Sequence, residues 1–181
     1  SALAADLLTA GTRRRTENDL LNRLDSCGAT LNINTGLNSF ILELNAPRRQ
    51  FPAALRLVRE ILCEPAFGEP EFERERDNRL ELMRSRAQAP RAAAQDLARQ
   101  LLFGAHPYSW GTNGTPEQLR HLTREAIAEF YRSFWRPGQV ICGFGGDCSE
   151  TEAAEWGKMV LDGIAWLPGS QRLPAPPEFP K

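Results

Sequence analysis

Two short stretches alternate apolar and polar residues inside a chain that is otherwise patterned for helix, and this segregation limits the fold. In Thr30-Leu31-Asn32-Ile33-Asn34-Thr35, Leu31 and Ile33 fall on one side of an extended backbone, the period of a half-buried strand. Gly36 breaks the run, and Phe40, Leu42 and Leu44 resume the alternation up to Pro47. So short an interval predicts an antiparallel hairpin. Val140-Ile141-Cys142-Gly143-Phe144-Gly145 predicts a further strand, closed by Gly146-Asp147. Strands grouped apart from helices imply an α+β fold, with an antiparallel sheet covered on one face by helices. Three strands are few for so many helices, so additional strands are expected upstream of this chain.

The helical segments carry their own punctuation. Ala2 to Ala10 is rich in Ala and Leu, has Leu3, Leu7 and Leu8 on one face, and stops at Gly11, a residue suited to a helix end. Arg13, Arg14 and Arg15 then read as a solvated basic connector. Thr16 suits an N-cap, with Asp19 at N3 in place of the Glu or Gln of a capping box. Leu20, Leu21 and Leu24 form the stripe of that helix, and Gly28 follows it. Phe51 to Leu62 turns Leu55, Val58, Ile61 and Leu62 to one side. Glu69 to Ala89 is highly charged, with Phe72, Leu80 and Met83 as a thin apolar seam, and Glu75 and Arg79 at a favourable i,i+4 spacing. Ala92 to Phe103 is a third helix, with Pro90 ending one helix or opening the next. Thr115-Pro116-Glu117-Gln118 is a capping box with Pro at N1, opening a short helix through His121. Thr123 caps another, carrying Ile127, Phe130, Tyr131 and Phe134; Ser149 with Glu152 opens one to about Leu161. Residues 1–167 are therefore expected to form a single α+β domain. Residues 168–181, with Pro168, Pro174, Pro176, Pro177 and Pro180, read as a linker or strap.

Composition narrows the chemistry. With 22 basic and 23 acidic residues the net charge is −1, which excludes nucleic-acid or membrane-surface binding driven by bulk charge. No apolar run approaches the roughly 18 residues that span a bilayer, and Ser1 to Ala10 lacks the basic n-region of a signal peptide. Cys27, Cys63, Cys142 and Cys148 show no CxxC spacing, so a zinc knuckle is not indicated and buried thiols are expected. His106 and His121 are the only histidines. His121 and Glu125 are four apart, but a helix start at Thr123 would break their shared face, and His106 before Pro107 reads as a loop cap. No local signature pairs a cysteine with a histidine as a nucleophile. Gly143-Phe144-Gly145-Gly146 lacks the Lys and spacing of a phosphate loop.

Several short motifs, in order, resemble the pitrilysin/insulinase family of zinc metallopeptidases, the inverted-zincin group. They are Gly11-Thr12 at the end of the opening helix, Gly28-Ala29 followed by Asn32-Ile33-Asn34-Thr35, and Asn38 where that family usually has Asp. Glu64-Pro65-Ala66-Phe67, Glu75-Arg76 and Pro90 follow, then Leu102 to Tyr108, Gly114-Thr115-Pro116-Glu117, Phe130-Tyr131 and Gly146-Asp147. The family's chemistry needs H-x-x-E-H on the opening helix, two His one turn apart to hold zinc and a Glu to activate water. The resemblance places the first His at Ala2, the Glu at Ala5 and the second His at Asp6. It places the third ligand, a Glu on the charged helix, at Leu82, with Glu81 beside it. All four positions lack the family's residue.

The resemblance thus implies a non-catalytic unit, with no cofactor in this chain and zinc in a catalytic half of the parent protein. The implied partner is that homologous half, in the same polypeptide or another subunit. Asn32, Ile33, Asn34 and Thr35 match the edge strand that pairs with peptide in the family, so strand addition of a peptide is an alternative. A purely structural role, as in the core-type relatives of respiratory complexes, is another.

Overall fold

A computed structural model describes residues 2–134 and 140–162. Among them are eight α-helices and two strands. The helices are α1 (Ala2–Thr9), α2 (Glu17–Ser26), α3 (Phe51–Cys63), α4 (Glu69–Gln88), α5 (Pro90–Phe103), α6 (Pro116–His121), α7 (Arg124–Phe134) and α8 (Glu150–Leu161); the strands are β1 (Thr30–Thr35) and β2 (Phe40–Asn45). The strands pair antiparallel in the expected hairpin, with Leu31 opposite Leu44 and Ile33 opposite Leu42. These inward residues pack against the core while their neighbours face outward. The fold is α+β, mostly helical, as the patterning implies.

Helix α1 lies at the centre. Ala2, Leu3, Ala4, Ala5, Leu7 and Leu8 are all buried, and a helix apolar on every side belongs inside. Leu3, Leu7 and Leu8 share one cluster with Leu55, Val58, Ile61 and Leu62 of α3, Phe72 of α4, Ile127 and Tyr131 of α7, and Trp156 of α8. The Tyr131 hydroxyl donates to the Leu62 carbonyl at 2.7 Å inside this core, and burial pushes the phenol well above its ordinary pKa.

The caps form as their residues dictate. Thr16, Thr115 and Ser149 each accept from the N3 amide while the N3 side chain reaches back. Pro90 opens α5. Gly11, at φ +138°, turns the chain out of α1, and an added Cβ would press on the Arg15 carbonyl at 3.3 Å.

Three expectations need correction and a fourth needs refinement. Val140–Gly145 forms no strand: an extended backbone needs a ladder partner about 4.8 Å away, and none of the described strands pairs with it. Instead this segment borders an open groove, and Ile141 is 97% exposed. The arginines after α1 are exposed at Arg13 and Arg14, as a solvated connector would be, but they are not unpartnered: Arg14 pairs with Glu64 and the half-buried Arg15 with Glu60. The cysteines are free thiols, but Cys142 is exposed and the other three are only half-buried. Arg79 does not pair with Glu75, which takes Arg74 instead. The segment 168–181 lies outside the described residues.

Two measurements check this architecture. Ile61 is fully buried, so Ile61→Ala should cost about 3–4 kcal/mol in urea unfolding, against about 1 kcal/mol for Tyr131→Phe. Asp19 is held below its ordinary 3.8 by hydrogen bonds with Thr16, and Glu152 below 4.5 by the Ser149 amide and then Arg48. A depressed folded pKa adds stability that is present above the unfolded value and lost as pH falls through the folded one. Carboxyl NMR titrations should therefore give midpoints below 3.8 for Asp19 and below 4.5 for Glu152, with the urea midpoint falling on acidification through that range.

Candidate functional site

Helices α1 and α4 pack directly against each other. Asp6 carries the one charge on α1. Its carboxylate is ion-paired with the Arg79 guanidinium of α4, whose other nitrogen donates to Asn113 Oδ1 at 2.7 Å. The Arg79 side chain is 15% exposed. Leu82 follows Arg79 by three residues on α4 and is 56% exposed. The opening helix and the charged helix thus meet at the Asp6–Arg79 ion pair, one turn before Leu82 on α4. Ala2 and Ala5 are buried methyl groups without a donor atom.

The turn after α1 is fastened to the end of α3. The Thr12 hydroxyl donates to Glu60 Oε1 at 2.7 Å and accepts from the Arg14 and Arg15 amides. Arg14 grips Glu64 with two bonds of 2.7 and 2.8 Å, the bidentate geometry that arginine favours. The Arg13 amide donates to the Glu64 carbonyl at 2.9 Å. Charged side chains in this turn therefore set the angle at which α1 enters the core.

Beside α1 opens a groove of about 1250 Å³. Phe40, Leu42 and Leu44 of β2, Phe51, Leu55 and Val58 of α3, and Val140 to Phe144 line it. One rim is closed where Asn38, in the hairpin turn, donates to the Tyr108 hydroxyl. Tyr108 sits in a 3₁₀ turn, Pro107–Trp110, capped by His106, whose Nδ1 accepts from the Tyr108 amide at 3.2 Å. Asn32 and Asn34 of β1 are exposed, with Leu31, Ile33 and Thr35 half-buried.

The other candidates do not assemble. His121 ends α6 and Glu125 lies in α7, with the Thr123 hydroxyl accepting from Ala126 at the start of the new helix. Glu125 is engaged by Arg124. Among the described residues no three His, Cys, Asp or Glu side chains converge as a metal site would require. The pairing missed from the sequence is Asp6 with Arg79, which are 73 residues apart. Its only local trace was a lone acid on an apolar helix.

An apolar helix docked on a long charged helix, beside a hairpin with an open apolar groove, makes one α+β unit. The family model described as insulinase, peptidase family M16, matches residues 2–112, and the chain belongs to that family. It is 21% identical over 164 residues to human cytochrome b-c1 complex subunit 1, covering 91% of this chain and 34% of that protein. It is 26% identical over 146 residues to an uncharacterized zinc protease of Mycobacterium leprae, covering 81% of this chain and 33% of the relative. The crystal structure of a peptidase M16 inactive domain from Pseudomonas fluorescens superimposes with a TM-score of 0.88 at 20% identity, over 98% of this chain and 43% of that one. The chain thus spans about a third of the length of these curated relatives.

The zinc ion implied by the family does not fit these residues. The side chains of Ala2, Ala5 and Leu82, the positions named by the resemblance, offer no nitrogen, oxygen or sulfur, and the Asp6 carboxylate is engaged by Arg79. A carboxylate already paired with a guanidinium is a poor ligand, and its neighbour repels a second cation.

Proposed function

We propose that this chain is a non-catalytic unit of a pitrilysin/insulinase-type zinc metalloendopeptidase, helping to close the substrate chamber and supporting an active half that binds zinc and hydrolyses peptide bonds. The observation that carries this reading is the contact of α1 with α4, kept although Ala2, Ala5, Asp6 and Leu82 cannot hold zinc. The similarity to a structure titled an inactive domain supports the same reading. Zinc titration by calorimetry tests it. The account expects no tight stoichiometric site in this chain and no peptide cleavage by it alone, with cleavage regained when the homologous half is present. One tight site, or unaided cleavage, would overturn it.

A second reading is favoured by β1. The sheet among the described residues holds only β1 and β2, so each strand pairs on one side within it, and Asn32 and Asn34 are exposed. An extended peptide could add along Asn32 to Thr35 through backbone hydrogen bonds, which need no metal. Extended peptides should then shift the amide resonances of Asn32, Ile33, Asn34 and Thr35, and proline at Ile33 should abolish the shifts. Spectra unmoved by any peptide would leave a purely structural subunit, the role to which the similarity with a cytochrome b-c1 complex subunit points.

A further inference from the structure

Arg79 is the feature of the emptied site that the proposed role does not use. It sits on α4 one turn before Leu82 and reaches two partners on separate elements, Asp6 of α1 and Asn113 in the loop before α6. Among the described residues its side chain is more buried than that of any other arginine engaged in an ion pair, at 15% exposure against 26% or more elsewhere. The simpler local arrangement, an i,i+4 pair with Glu75, is not made. The side chain instead spends its two ends on contacts 73 and 34 residues away in sequence.

A metal ion in such a place would do two things apart from chemistry. It would cross-link the helices that donate its ligands, and its charge would compensate the acids around it. A guanidinium can supply both. It is permanently charged, planar, and able to bond two acceptors in fixed directions. We propose that Arg79 is a tethered cation standing in for the metal: it ties α1, α4 and the Gly111 to Gly114 loop together, and its charge keeps divalent metal out. The inference rests on the assignment of Ala2, Ala5, Asp6 and Leu82 to the metal positions.

The cross-link also has a reach beyond the helices. Asn113 belongs to the stretch Trp110 to Gly114, which lines the groove together with Arg79 itself. Gly111 and Gly114 both have positive φ, at +65° and +72°, so the chain turns sharply on either side of Asn113. The Arg79 to Asn113 bond is a fixed point in it. Arg79 is therefore a positioning residue for the groove wall.

The test has two arms, both on the full-length natural protein. In the first, amide hydrogen exchange is followed in Arg79→Ala and Arg79→Lys. Arg79→Ala should accelerate exchange at Gly111 to Gly114 and in α1 together, by about tenfold, and lower Tm by about 4 °C. Arg79→Lys should retain part of the α1 protection but not the loop's, because one ammonium cannot span both acceptors in the same planar geometry. Unchanged exchange at Gly111 to Gly114 in Arg79→Ala would overturn the cross-link. In the second arm, A2H/A5E/L82E supplies the family's residues at three positions while keeping Asp6, the partner that holds Arg79, with Arg79 kept or replaced by Ala. Zinc sites are counted above those of the unsubstituted protein. Zinc should bind at least about tenfold more tightly when Arg79 is replaced, the cost of a nearby like charge. Equal affinity in the two backgrounds would overturn the exclusion. No added zinc in either would overturn the positional assignment, and the exclusion with it. If the restored variants do not fold, the single substitution A2H is titrated with zinc with Arg79 kept or replaced by Ala, and equal affinity there overturns the exclusion.

Discussion

One charge on a buried helix organises this molecule. Helix α1 is apolar on every side except at Asp6, and its flanks are filled by α3, α4 and β1. A carboxylate drawn toward a core costs free energy unless it is paired. Arg79 supplies the pair from α4, so the contact that satisfies Asp6 also fixes where the charged helix lies. From that contact follow the position of Leu82, the placement of the Gly111 to Gly114 loop through Asn113, and one wall of the groove.

The opposite end of α1 is controlled by a different polar cluster. Gly11 reverses the chain, Thr12 bonds Glu60, and Arg14 and Arg15 take Glu64 and Glu60. These partners lie at the end of α3, whose apolar face carries Leu55, Val58, Ile61 and Leu62 into the same core. Helix α1 is therefore clamped by ionic contacts at both of its neighbours while its body is held by packing. Exposed ion pairs contribute little on their own, but here they set register and direction for a helix whose surface is otherwise uniform Ala and Leu.

The elements whose causes are local were legible from sequence. Three capping side chains, Thr16, Thr115 and Ser149, start helices where they should, and the alternation of Leu31 and Ile33 with Leu42 and Leu44 predicts the hairpin. What failed was whatever depends on a distant partner. Val140 to Gly145 has strand residues but no described ladder to join. Arg79 was assigned to the acid four residues before it and instead reaches across 73 residues to Asp6. The ion pairs of Arg14 and Arg15 leave no local trace because Glu60 and Glu64 lie at the end of another helix. For the site, the resemblance directs attention to Ala2, Ala5, Asp6 and Leu82, whereas the pairing of Asp6 with Arg79 is visible only in three dimensions.

The central claim is that a metal-type scaffold persists with a guanidinium where an ion would be. Crystals of the protein grown with excess zinc, with data collected on both sides of the zinc absorption edge, test it most directly. The account predicts no anomalous peak between α1 and α4, with clear density joining Arg79 to Asp6 and Asn113. A strong zinc peak there, with Arg79 swung aside, would contradict it.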